Sequence, residues 1–283
     1  MKRIKKYTKK LFNIIKKPEM NYLPGNMAYN LVLALIPILM ITVYIASLFS
    51  VSIDSVVHLL EDILPSKISS TVIEVISCRG FDKGLGFLNI ITLIIATNGA
   101  YTIITTSDAL YKVKENDEIK KRIKSIFLLV IIVFLFLFLI LVPLFGEKIL
   151  ELLQSLKMFN NIIDDLLNIF NLLKWPLTAF IIFFNIKFIY TFAPSKQMRS
   201  AFTNYGAIFT TILWIVATVI FGYYLNYFAR YDVIYGNLST LIMLMVWLYV
   251  LSYVFVLGIA INVTKYDDFK NKIEESVNDN NGI

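Results

Sequence analysis

Histidine and cysteine are almost missing from this chain. It has one of each, His58 and Cys78, in 283 residues. A lone cysteine excludes an intrachain disulfide and a cysteine-based metal cage. Charge is scarce as well, at 17% of residues, against about 25% in an average soluble domain. No apolar stretch alternates with a period of two over about ten residues, which excludes the strands of a membrane β-barrel. The chain shows no soluble domain, no low-complexity linker and no internal repeat. Its opening, "MKRIKKYTKKLFNIIKK", has interspersed charges and no small-residue cleavage site, so no signal peptide is expected.

What fills the chain instead is apolar. Hydrophobic residues make up 58%, and the mean hydropathy is +0.70. Spanning a hydrocarbon core of about 30 Å by helix takes roughly 20 apolar residues. Six stretches are long enough: 26–49, 85–108, 123–145, 172–193, 207–229 and 238–264. The clearest, "SIFLLVIIVFLFLFLILVPLF" (125–145), carries no charge at all. The expected fold class is therefore all-α: a polytopic membrane protein with six transmembrane helices.

Cytoplasmic loops of such proteins are enriched in Lys and Arg. The basic residues of 1–25 and of the loops 109–124 and 194–206, with Lys265, Lys270 and Lys272, fall on one side of the six spans. Far fewer fall on the other side, among them Lys67, Lys83, Lys148 and Arg230. Both termini are thus expected in the cytoplasm. The organisation that follows is a basic cytoplasmic segment 1–25, a transmembrane domain 26–264 and a polar cytoplasmic tail 265–283. The net charge of +7 serves orientation in this reading, and no nucleic-acid partner is expected.

Ile4, Tyr7, Leu11, Ile14 and Ile15 recur at helical spacing among lysines. The segment suits a helix lying on an anionic inner leaflet, or a solvated basic tail that only enforces orientation. Two outer loops, 54–76 and 147–173, carry amphipathic patterns expected to form helices that rest on the outer membrane surface or cap the bundle.

Polar residues within the spans are the candidates for function, because lipid does not solvate them. In "NMAYNLVLALIPILM" (26–40), Asn26 and Asn30 share a helical face with Ala34 and Pro37. Pro37 removes a backbone donor and frees the carbonyl of Leu33, which places this face toward the bundle interior. Asn98, Thr102, Thr105 and Thr106 form a stripe on the second span, and Ala96 and Ala100 permit close helix approach. Asn185 and Lys187 lie in the fourth span, with Lys187 expected to snorkel, and Asn226 lies in the fifth. Asp108 is expected at the wet cytoplasmic boundary. Tyr235, Gly236 and Asn237 open the last span as interface anchor, positive-φ turn and N-cap. Gly258 and Asn262 share a face near its end. Two readings stay open for the set. The side chains either line a polar path or act as interhelical hydrogen-bond glue, worth about 0.6–2 kcal/mol each.

Several of these residues carry a resemblance to the YihY/BrkB family of bacterial inner-membrane proteins, long labelled ribonuclease BN. Ala28-Tyr29 followed by Pro37 resembles its first-span pattern, with Ala34 in place of Ser. Asp108, Tyr111, Val113 and Glu115 resemble N-x-x-Y-x-V-x-E, with Asp for Asn, and Pro194, Gly206 and Trp214 fit the entry to the fifth span. Tyr224, Phe228, Tyr231, Tyr235-Gly236 and Trp247-Leu248-Tyr249 resemble its Y-x3-F-x2-Y-x3-YG…WLY signature. Gly258 and Asn262 match its closing G-x-E-x-N, with Ala260 in place of Glu. The resemblance implies a six-helix protein of the bacterial inner membrane that transports a small molecule or translocates lipid. The alternative is a non-transporting scaffold or envelope-integrity protein. Membrane lipids are the expected partners, and no cofactor, metal or catalytic residue is expected. Metal-assisted phosphodiester cleavage needs clustered carboxylates and histidines, which one histidine and no paired intramembrane carboxylates do not supply, so ribonuclease activity is not expected.

Overall fold

The computed structural model describes residues 12, 16, 18–48, 57–58, 61, 65, 68–70, 73, 86–113, 117–155, 160–196, 198–227 and 235–281. The basic opening segment and the outer loop 54–76 lie almost wholly outside the described residues. Among the described residues there are no strands. Six long helices follow in order: α1 (Glu19–Leu48), α2 (Gly86–Tyr111), α3 (Glu118–Ser155), α4 (Asn160–Phe192), α5 (Ser200–Tyr227) and α6 (Ser239–Asn281). A single 3₁₀ turn, Gly236–Leu238, leads into α6.

The helices are apolar runs, and two of them carry an acidic residue in the first turn. Glu19 in the first turn of α1 and Glu118 in that of α3 set negative charge against the positive end of the helix dipole. Lys112 ends α2 with φ +53°, and the Val113 N–H turns back to the Asp108 carbonyl at 2.9 Å, a left-handed stop of the kind that closes many helices. α1 continues without a break through Pro24 and Pro37, and Pro37 is buried. The carbonyl it frees belongs to Leu33, whose residue lies on the exposed side.

Two elements differ from the sequence reading. The outer amphipathic segment 147–173 is not a separate surface helix. Its two halves extend α3 to Ser155 and begin α4 at Asn160. Strong helix formers such as Glu147, Leu150, Glu151 and Leu152 simply propagate the preceding span. Likewise α6 does not end at the membrane boundary, and residues 265–281 continue it.

α1 packs against α2 and α6, α6 against α5, α5 against α4, and α3 against α2, α4 and α1. The core of the bundle buries Met27, Ile104, Leu128, Ile186, Tyr190, Leu225, Phe255 and Ile259 almost completely. The outer surface is apolar too. Phe127, Val130 and Phe134 on α3 and Val216, Ile220 and Tyr223 on α5 recur three or four residues apart and are exposed. A water-soluble protein rarely exposes such continuous apolar bands, so this surface belongs in lipid. Four helices contain stretches long and apolar enough to cross a membrane among the described residues: Glu19–Thr42, Trp175–Phe192, Ser200–Tyr227 and Ser239–Asn271.

Candidate functional site

Among the described residues, three clusters of polar side chains join the helices. The first is a seam between α4, α5 and α6. The Tyr190 hydroxyl donates to the Phe255 carbonyl at 2.8 Å and lies 2.7 Å from Thr210 Oγ1. One turn toward the start of α5, the Gly206 N–H donates to Asn262 Oδ1 at 2.8 Å. Trp214 Nε1 donates to the Leu251 carbonyl at 2.9 Å. The seam requires glycine. A Cβ on Gly206 would overlap the Gly258 carbonyl oxygen, and one on Gly258 would overlap Thr210 Oγ1 and Tyr190 Oη. Paired small residues let two helices approach this closely. Asn262, which is fully buried, therefore acts as a lock.

The second place is the turn between α4 and α5. Asp108, at the end of α2, accepts the Ser195 N–H at 2.7 Å and the Ser195 hydroxyl at 2.6 Å. Lys121 Nζ lies 4.0 Å from Asp108 Oδ2, the oxygen that accepts the Ser195 hydroxyl, and Lys124 donates to the Pro194 carbonyl. Asp108 is only 3% exposed, so it is not the wet boundary residue that its position suggests. The 193–196 turn covers it and supplies two donors. Beside it, Lys120, Lys121, Lys124 and Ser195 line a hollow of about 180 Å³. The neighbouring Tyr111 hydroxyl is buried without a partner among the described residues. Burial, with Asp267 and Tyr266 beside it, pushes that phenol well above its ordinary value.

The third place is the α2–α3 crevice. Arg122 Nη1 donates to Asn98 Oδ1 at 2.6 Å, and the guanidinium lies 4.0 Å from the Tyr101 ring centroid. The Tyr101 hydroxyl donates to Glu118.

The remaining candidates are dispersed. Asn30 is half-buried and donates within its own helix, to the Asn26 carbonyl at 2.9 Å and Asn26 Oδ1 at 3.1 Å. Thr102 and Thr105 donate to carbonyls of α2, as hydroxyls in helices commonly do. Asn185 Nδ2 reaches the Leu135 carbonyl of α3 at 3.5 Å, beyond good hydrogen-bond length. Lys187 does not snorkel toward the α4 end. Its ammonium lies 5.8 Å over the Phe184 ring, because side chains on a helix lean toward the N-terminus. Asn226 and Tyr235 are exposed. Gly236 takes the positive φ of +52°. Asn237 sits inside the 3₁₀ turn, not at an N-cap, and Ser239 opens α6.

The bundle carries an apolar groove on its flank. Gly25, Ala28, Tyr29 and Val32 of α1 and Met245, Val246 and Tyr249 of α6 line about 280 Å³ that opens sideways. Sequence reasoning missed this groove, the Tyr190 lock and Arg122. A signal for the seam was present, since Gly206 and Thr210 on α5 and Gly258 and Asn262 on α6 are each one turn apart. Among the described residues no three His, Cys, Asp or Glu side chains converge as a metal site.

The sequence pattern of the virulence factor BrkB family matches residues 11–280, nearly the whole chain. The chain belongs to that family. A BrkB-family relative, the ribonuclease-like protein YfkH of Bacillus subtilis (strain 168), is 29% identical over 260 residues, covering 90% of this chain and 94% of its own length. The UPF0761 membrane protein KPN78578_41360 of Klebsiella pneumoniae is 32% identical over 118 residues, covering 41% of this chain and 38% of its own. The UPF0761 membrane protein IL2447 of Idiomarina loihiensis is 27% identical over 89 residues, covering 31% of each chain. No solved structure matches. Family membership and the apolar outer bands together make this BrkB protein an integral membrane protein.

Proposed function

We propose that this BrkB-family protein crosses the bacterial inner membrane six times with both termini in the cytoplasm, and that it handles lipid at its perimeter without catalysing a reaction. The observation that carries the reading is the sideways groove between α1 and α6. It is apolar, it faces the surface that contacts lipid, and Tyr29 and Tyr249 stand exposed at its walls. In contrast, the buried Asn262, Tyr190 and Thr210 bind neighbouring helices. A solute path through the bundle centre would have to break those contacts.

The test is purified protein in liposomes, assayed for movement of fluorescent phospholipids between leaflets. A Gly25→Leu variant extends into the groove from a position where the added Cβ meets only Tyr249, at 4.0 Å. The reading expects movement in the wild type and its loss in Gly25→Leu, with both proteins equally stable. The second reading, a non-transporting scaffold, is favoured by the seam around Gly206 and Asn262, which rigidifies α5 against α6. It expects no movement with any headgroup.

A further inference from the structure

Arg122 lies in the second turn of α3, yet its side chain runs back along α2. Its Nη1 donates to Asn98 beside the charged first turn of α3, where the Tyr101 hydroxyl donates to Glu118. Ile91, Ile94, Asn98 and Tyr101 recur along one face of α2, and both isoleucines are exposed. On α3, exposed Ile119, Ile123 and Ile126 flank Arg122. The exposed guanidinium thus lies against α2 between two apolar bands, where the polar turn 112–117 gives way to the apolar run 123–145.

Its chemistry there is unfinished. A guanidinium has five N–H donors in a rigid fork. One goes to Asn98, while the Tyr101 face below fixes its plane. Glu118, one turn earlier, accepts from the Tyr101 hydroxyl and lies 3.9 Å from Lys121 Nζ. Among the described residues no carboxylate forms an ion pair with Arg122. A positive fork at the membrane boundary, with its plane fixed and donors to spare, matches a phosphate oxyanion by two parallel N–H···O bonds.

We propose that Arg122, positioned by Tyr101 and Asn98, binds the phosphodiester of an anionic phospholipid in the cytoplasmic leaflet at the α2–α3 crevice. The isoleucines on either side accommodate the start of the acyl chains. This rests on the reading that α2 and α3 cross the membrane with the 112–117 turn inside.

The experiment titrates full-length protein in detergent with phosphatidylglycerol, phosphatidylcholine or inorganic phosphate and counts bound lipid by native mass spectrometry. Phosphatidylglycerol is expected to bind the wild type in preference to phosphatidylcholine, and Arg122→Gln to bind it about tenfold more weakly. Arg122→Lys should fall between them, because an ammonium keeps the charge and loses the fork. Arg199→Gln, an exposed cation in the connection between α4 and α5, should bind like the wild type. Should Arg122→Gln not fold, Tyr101→Leu removes the platform and is expected to weaken binding several-fold. Undiminished binding by Arg122→Gln or by Tyr101→Leu overturns the proposal, as does an equal loss in Arg199→Gln. Competition by inorganic phosphate as strong as by the lipid would overturn the lipid assignment. A cysteine placed at Lys112 in a Cys78→Ser background, labelled by a membrane-impermeant thiol reagent, tests the topology separately. Cytoplasmic labelling with no Arg122 effect counts against the binding alone.

Discussion

Asp108 and Ser195, distant in sequence, are joined by two hydrogen bonds of 2.7 and 2.6 Å that both end on one carboxylate. That pair fastens the end of α2 to the turn between α4 and α5. Bonds to a charged group contribute about 1.5–3 kcal/mol each, and a buried donor left unpaired costs a similar amount. Asp108→Ala should therefore destabilise the detergent-solubilised protein more than Ser195→Ala, which keeps the backbone N–H bond. The double variant should fall short of the sum by about 0.5–3 kcal/mol, as coupled sites do. Thermal unfolding of the three proteins measures this.

The α5–α6 contact depends on two positions with no room for a methyl group. Gly206→Ala and Gly258→Ala should each cost about 1–3 kcal/mol, because the overlapping atoms are a backbone oxygen at one site and two hydrogen-bonded hydroxyls at the other. Tyr190→Phe should cost less, about 1 kcal/mol, since Thr210 and Phe255 lose one partner without a clash. Equal losses in all three variants would show that the polar bonds, and not the close approach, hold the seam.

These two sites also mark what the sequence made legible. The order of the long helices among the described residues follows from long apolar runs, which dictate helix once lipid or a core surrounds them. Gly258 and Asn262 were visible as one face of α6. Their partner Gly206 was not assigned to them, because helix pairing is a tertiary fact that one helix's periodicity does not carry. Asp108 shows the same limit. Its place beside Tyr111 and Lys112 reads as wet boundary, and only the folding over of Pro194 and Ser195 buries it. The continuation of α3 and α4 past the apolar runs was hidden by amphipathic patterning, which a surface helix and an extended span share.

Asn30 and Asn262 are separated by the same physics. Asn30 bonds to Asn26 in its own helix and is half-buried, so Asn30→Leu strands no buried partner and should shift stability by under about 1 kcal/mol. Asn262→Leu leaves the seam with a larger side chain against Gly206 and should cost about 1–3 kcal/mol. Because Asn30 and Asn98 share no hydrogen-bond partner, Asn30→Leu and Asn98→Leu should add within about 0.3–0.5 kcal/mol.

Tyr111 gives a pH signature. Its folded-state pKa is raised by burial and by Asp267, so the neutral phenol is the form the fold favours. The stability it contributes is present below the unfolded value of about 10 and is lost as pH rises beyond it. Tyr111→Phe cannot ionise, and it removes a buried hydroxyl with no partner among the described residues. It should match or exceed the wild type at pH 7 and hold its stability better above about pH 10. Parallel decline of both proteins would contradict the assignment.

The central claim is that lipid is held on the flank of the bundle, in the α1–α6 groove, and not carried through its centre. Photo-crosslinking with a phospholipid bearing a diazirine on its acyl chain, followed by mapping of the adducts, tests this most directly. The account predicts adducts on the groove walls, at Tyr29, Met245 and Tyr249, strongly reduced in Gly25→Leu. Adducts concentrated on the buried seam residues Thr210 and Asn262, or groove labelling that Gly25→Leu leaves unchanged, would contradict it.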